Sequence, residues 1–260
     1  MDRGGHILIV AVILLAAVAV VAVGLLMLNG TQVHISGSGS IDINAPPVTE
    51  GVSSIKVTVV GVPSQGVLEA LASNESVTKG IEYPANFPPN SYTLDMLKEY
   101  QVVIAQGDPK FDMNTREALR GYVNGGGKLI VVGDAGSKHP EYQNVAGWSW
   151  PAGQGIPVPA QIVGEFSGYT DVANGSQIRW SETSHPIARG MKIVGISLPA
   201  NSTVVKTTPN GDVVAFIDTD EGTVPAIIEG GSGLGKVVYF AYDPGLTPEI
   251  FINTIAYLTT

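Results

Sequence analysis

The sequence predicts an α/β protein: a doubly wound sheet that gains an antiparallel β extension in its C-terminal half and is preceded by one transmembrane helix. Three observations carry this. The stretch Gly121–Ser137, GYVNGGGKLIVVGDAGS, places a helix end, a glycine break, a short buried strand and a loop in succession. Two further apolar runs, Ile55–Val60 and Gln101–Ala105, are each followed by a turn and a helical pattern, the alternation that builds a parallel sheet. The run Ile7–Leu28 holds 22 residues without a charge.

Taken in order, residues 1–6 form a short N-terminus ahead of that run. At about 1.5 Å per residue, Ile7–Leu28 is long enough to cross a hydrocarbon core of roughly 30 Å. A cleaved secretory signal is the rival reading; its apolar region runs only about 7–15 residues, and no A-x-A site follows here. Arg3 precedes the run and the next basic residue is Lys56, so the positive-inside bias puts residues 1–6 in the cytoplasm and the rest outside. Residues 29–53 change to Gly, Ser, Thr and Pro and read as a linker with one short strand at Gln32–Ile35.

Residues 54–260 form the folded domain. Ile55–Val60 is a strand that ends in Gly61-Val62-Pro63-Ser64-Gln65-Gly66, with a helix under way by Val67. Asn86–Asn90 is a loop, and Thr93–Tyr100 a helix with Leu94 and Leu97 inward. Gln101–Ala105 is the second strand, ending at Gln106-Gly107-Asp108-Pro109. Asn114 and Glu117 have capping-box spacing, and Ala118, Leu119, Tyr122 and Val123 share one face of the helix they open. Gly125–Gly127 end it, because glycine takes the left-handed conformation without steric cost. Lys128–Val132 is a strand buried on both faces.

After His139 comes a loop-rich region with Tyr142, Trp148, Trp150, Tyr169 and Trp180, aromatics suited either to stacking on a ligand or to covering one side of the sheet. Strands then arrive at hairpin spacing over Thr203–Lys206, Val213–Asp218, Val224–Ile228 and Lys236–Tyr242, with turns at Pro209–Gly211 and Gly230–Gly235. The last helix has Thr247 as cap, Pro248 at its first position, and Ile250, Phe251, Thr254, Ile255 and Leu258 inward.

Composition narrows the function. A net charge of −9 without a Lys/Arg-rich run excludes a partner bound through nucleic-acid phosphates. The chain has no cysteine, so disulfides, thiolate metal sites and cysteine nucleophiles are excluded.

The runs YQVVIAQGDP, YVNGGGKLIVVGDAG, SHPIARGM and GKVVYFAYDPG, with the amphipathic helix after them, resemble the class I glutamine amidotransferase-like superfamily, in its branch related to trehalose-utilisation proteins. The resemblance covers roughly Ile55–Thr260 and implies a flavodoxin-like sheet. Working amidotransferases of that superfamily carry a cysteine on a sharp turn after a central strand, with a histidine and an acid beside it. Here the turn after Val132 carries Asp134 and Ala135, and neither Ser64 nor Ser137 stands in a G-x-S-x-G elbow. Glutamine hydrolysis by that mechanism is therefore not expected.

In open sheets of this kind ligands sit beyond the carboxyl ends of the strands. That rule makes Gln65, Gln106, Asp108, Asp134 and Asp243 candidates for one ligand-binding crevice, with His139 and His185 added as possible neighbours. No H-x-x-x-H or D-x-D spacing supports a metal among them, and no cofactor is expected. Gly133–Gly136 is neither a P-loop nor a dinucleotide fingerprint. Four N-x-[ST] sequons, at Asn29, Asn74, Asn174 and Asn201, are glycosylation candidates on the proposed outer side.

The expected function is that of a membrane-anchored, non-catalytic domain displayed outside the cell. It would touch the lipid bilayer through Ile7–Leu28 and bind a ligand, a membrane or surface protein, or another copy of itself. Two rival readings remain open. A metal-dependent hydrolase would use Asp134, His139 or His185. A filament subunit would be processed after Gly4 or Gly5, since Asp2-Arg3-Gly4-Gly5 before a long apolar run resembles the cleavage site of archaeal pilin-type precursors.

Overall fold

The structure, a computed structural model, describes residues 32–35 and 41–44, and 54–260 apart from 85–89, 141–146, 150–154, 164–167 and 192–193. The chain divides into two compact units, Met1–Val52 and Ser53–Thr260. In the first, β1 (Gln32–Ile35) pairs antiparallel with β2 (Ile41–Asn44), Gln32 opposite Asn44. The sequence predicts one strand in this linker; IDIN supplies the second because its Ile-x-Ile alternation matches that of QVHI. Ile7–Leu28 and Asn29 lie outside the described residues. Among the described residues no helix is long and apolar enough to cross a membrane.

The second unit is built on a nine-stranded sheet of order β10-β9-β13-β14-β15-β6-β5-β3-β4. Its parallel half comprises β3 (Ile55–Gly61), β4 (Ile81–Glu82), β5 (Val102–Gln106), β6 (Lys128–Val132) and β15 (Gly235–Phe240). β5 and the last four residues of β6 are buried throughout, which is why these strands read as continuous apolar runs. From β3 the chain turns to β4 on one side and to β5 on the other, so the strand order reverses between β3 and β5.

The antiparallel half adds β14 (Gly222–Ser232), β13 (Gly211–Thr219), β9 (Gln177–Trp180) and β10 (Val194–Gly195). β13 and β14 run past their expected bounds, and the turn between β14 and β15 shrinks to Gly233-Leu234. The stretch Thr203–Lys206, expected as one strand, breaks at Val204. Its parts, β11 (Asn201–Thr203) and β12 (Val205–Thr207), pair with β8 (Tyr169–Asp171) and β7 (Ala160–Ile162). The middle region thus holds four short strands, β7 to β10, that a loop-rich reading leaves out.

Helices cover both faces, as a doubly wound sheet requires. On one face lie α1 (Gln65–Leu71), through Val67, Ala70 and Leu71, and α5 (Pro248–Leu258), through Ile250, Phe251, Ile255 and Leu258. On the other lie α3 (Leu94–Leu97) and α4 (Met113–Asn124), whose Ala118, Leu119, Tyr122 and Val123 are buried as their spacing predicts. A short α2 (Asn74–Thr78) leads into β4. α3 is one turn rather than the expected two.

Two expected caps change. α4 starts at Asp112, not Asn114: the Asp112 carboxylate accepts from Thr115 N at 2.8 Å, while Asn90 Oδ1 accepts from Asp112 N at 2.9 Å. Thr247 occupies the cap position of α5, but its hydroxyl bonds to the Tyr242 hydroxyl at 2.8 Å instead of to the helix. Trp148, 2 % exposed, packs edge-on against Tyr239 with ring centroids 5.3 Å apart and covers the sheet. Trp180 is also packed against the core. Trp150 and Tyr142 lie outside the described residues.

Candidate functional site

The carboxyl ends of β5, β6 and β15 open into a crevice of about 370 Å³. Its floor and walls come from Gln106 at the end of β5, Gly133-Asp134 after β6, Tyr242-Asp243 after β15, and Tyr169, Pro199 and Asn201 from the inserted segments. It lies beside the point where the strand order reverses, the place the topology assigns to a ligand. Gln106, Asp134 and Asp243 therefore meet as expected.

Each side chain is held by something specific. Asp243 Oδ1 accepts from the Ser64 hydroxyl at 2.9 Å, from Gly245 N at 3.0 Å and from Gln106 Nε2 at 3.3 Å, while Gln106 Oε1 accepts from Ser64 N at 3.3 Å. Ser64 also caps α1, accepting from Val67 N at 3.2 Å. This network needs α1 and the turn Pro244–Leu246 in close contact. Glycines permit it, since a Cβ on Gly245 would stand 2.5 Å from the Gly66 carbonyl carbon.

Asp134 follows Gly133, whose φ of +59° favours glycine. The Tyr169 hydroxyl and Thr203 Oγ1 lie over that glycine, 3.7 and 3.6 Å from where a Cβ would be. Tyr169 is 47 % exposed, with its hydroxyl against Asp134; partial burial first, and the Asp134 carboxylate second, raise its pKa. The Asp134 loop is tied down from beneath by Arg116, which is fully buried in α4. The Arg116 guanidinium donates to the carbonyl of Gly136 and, at 3.0 Å, to that of Trp148, and desolvation pulls its pKa down. Trp148 Nε1 donates to the Ala135 carbonyl at 2.7 Å.

The other candidates do not line the crevice. Gln65 is on the exposed face of α1, bonded to Glu69 at 3.0 Å. Asp108 turns back to accept from Lys110 N at 2.8 Å. His139 is buried. His185 accepts from Ile187 N through Nδ1 at 3.2 Å and meets Glu229 through Nε2 at 3.0 Å, next to α5. Among the described residues no group of three or more His, Cys, Asp and Glu could hold a metal ion. Asn74 and Asn174 are exposed; Asn201 is exposed too, and sits on the wall of the crevice.

Ser64 is a residue that sequence reasoning missed as a member of the site: its partner lies 179 positions away, and it carries no local signal. Tyr169, one of the aromatics suited to stacking on a ligand or to covering the sheet, comes from a three-residue strand and lines the crevice.

No protein-family model matches the chain, and no curated protein does. Solved structures match its fold. The cytoplasmic protein STM3548 of Salmonella typhimurium aligns at 14 % identity and a TM-score of 0.55, over 88 % of this chain and 94 % of its own. A ThuA-like protein of Parabacteroides merdae aligns at 11 % identity and a TM-score of 0.55, over 80 % of this chain and 91 % of its own. A cold-adapted β-galactosidase of Rahnella aligns at 13 % identity and a TM-score of 0.55, over 78 % of this chain but 31 % of its own. The mixed nine-stranded sheet and these likenesses fit a flavodoxin-like fold.

Proposed function

We propose that the domain is a non-catalytic binding module, displayed outside the cell on the Ile7–Leu28 anchor, and that its crevice takes a neutral, hydroxyl-rich ligand of about the size of a saccharide unit. The carrying observation is the lining: two carboxylates, a fixed amide and a half-exposed tyrosine converge in about 370 Å³ with no Lys or Arg among the lining residues. Carboxylates and amides accept and donate to hydroxyl groups, and an aromatic face stacks on the apolar face of a sugar ring. The same carboxylates repel phosphate or carboxylate ligands. Membership of the trehalose-utilisation-related branch is part of the proposal, supported by the motifs and by the fold.

The same groups do not favour amide or ester hydrolysis. An amide or ester is attacked only by a strong nucleophile with a base to take its proton. Ser64 bonds directly to a carboxylate, a far weaker base than imidazole, and no histidine lines the crevice. Asp243 Oδ1, held by three donors, is fixed as an acceptor. The compartment is carried by the anchor and its flanking charges, since a shared fold says nothing of location.

A thermal-shift screen of the full chain in non-ionic detergent tests the reading. Neutral mono- and disaccharides raise the melting temperature, and at 100 times the dissociation constant the gain is about 2.7 kcal/mol. A response confined to amines, or to anions, would refute the ligand class.

A further inference from the structure

The amino ends of the parallel strands have the reverse electrostatics. Where the amino ends of β6 and β15 meet the C-terminal turn of α5, a cavity of about 640 Å³ opens. Lys98, Lys128 and Lys236 line it, together with Tyr100, Tyr257 and the Gly125–Gly127 turn, and no Asp or Glu side chain does. In a chain of net charge −9 such a concentration of lysines is itself unusual.

Two of these lysines are placed against their own interest. Lys236 and Lys128 are register partners on adjacent parallel strands. Each precedes by two a residue on the α5 face, Val238 and Ile130, so both side chains rise on that face. Like charges side by side on a sheet destabilise it. Lys236 is compensated: Nζ donates to the Tyr257 hydroxyl at 3.0 Å, lies 4.4 Å from the centre of that ring, and stands 3.7 Å from Glu229. Tyr257 in turn donates to Glu229 at 2.6 Å, and His185 meets the other Glu229 oxygen. The hydrogen bond to Tyr257 first, and the charge of Glu229 among the further causes, raise the Lys236 pKa and keep it cationic. Lys98 pairs with exposed Asp95 at 3.0 Å. Lys128 forms no ion pair with any described residue and is only partly exposed.

We propose that this cavity is an anion-binding site, separate from the crevice, that takes a phosphate-bearing group between Lys128 and Lys236 with Lys98 at its rim. Compact ammonium groups bind phosphate as point charges. An anion there relieves the repulsion between the paired lysines. The group is carried either by a soluble metabolite or by an anionic lipid headgroup.

The full chain in non-ionic detergent is titrated with inorganic pyrophosphate by calorimetry, beside Lys128→Gln and Lys128→Arg. The expected result is salt-sensitive binding that Lys128→Gln weakens roughly ten-fold or more and Lys128→Arg retains, with a melting temperature that Lys128→Arg leaves unchanged and that Lys128→Gln, which removes one of two like charges, does not lower. Repeating the titration in nanodiscs assigns the source: weaker apparent binding in anionic than in neutral lipid identifies the headgroup, and equal binding a soluble ligand. No binding overturns the proposal. So does binding that Lys128→Gln leaves intact, or a Lys128→Gln protein that melts lower with its pyrophosphate affinity unchanged. In that last case the lysine serves only the carbonyl end of α5.

Discussion

Replacing Arg116 with methionine tests how the loop that carries Asp134 is held. Methionine keeps much of the side-chain volume but removes the donors. The Gly136 and Trp148 carbonyls, both bonded to the buried guanidinium, lose those bonds. Leaving a buried acceptor unsatisfied costs about 1–3 kcal/mol, so two cost roughly 2–6 kcal/mol. Against this stands the recovered desolvation of a charge, whose effect is visible in the lowered Arg116 pKa. Carbonyls cannot follow the charge out to water, so the loss prevails, and the net effect is a destabilisation of about 2–4 kcal/mol. For a domain of this size that lowers the melting temperature by roughly 5–15 °C. Urea unfolding read by tryptophan fluorescence reports the change, because Trp148 bonds to the same loop. Arg116→Lys, with one ammonium in place of a fork, falls between the two. A methionine variant as stable as the native chain, or a lysine variant as damaged as the methionine one, would refute the reasoning.

Three further outcomes follow from the same structure. The Tyr122 hydroxyl donates to the carbonyls of Tyr100 and Gln101, and burial pushes its pKa from 10.0 up to about 12. Its contribution of about 2–3 kcal/mol is whole below pH 10 and lost as the pH rises toward 12, so Tyr122→Phe has a shallower alkaline stability loss in pH-dependent urea titrations. Protease added to intact cells releases a fragment that begins within residues 29–53; protection until lysis would contradict the proposed display. Purified protein releases no ammonia from glutamine in a coupled assay, and ammonia abolished by Asp134→Ala would sink the non-catalytic reading.

How much of this was legible in the chain depended on the range of the interactions. Continuous apolar runs marked β3, β5, β6 and β15, because strands buried on both faces need them, and the strand-end rule then brought Gln106, Asp134 and Asp243 to one crevice. Strands such as YTD and QIRW are too short and too polar for period two to stand out, and their partners lie far along the chain. Asn114 lost its cap to Asp112 because Asn90, 22 residues earlier, fixes the Asp112 backbone. Arg116 reads as a surface position in a helix, and only the carbonyls of a later loop make its burial tolerable. Gln65 failed for a local reason: on the first turn of α1 it finds Glu69 four residues on.

The proposed function requires that the crevice between Asp134 and Asp243 bind a sugar without turning it over. The most direct measurement is ligand-observed NMR of the full chain with a neutral disaccharide, followed over hours in one sample. Saturation transfer to the sugar, lost in Asp134→Asn and in Tyr169→Ala, with the sugar spectrum unchanged at the end, is the predicted result. Cleavage of the sugar would show turnover, and transfer that survives both substitutions would place binding outside this crevice; either overturns the proposed function.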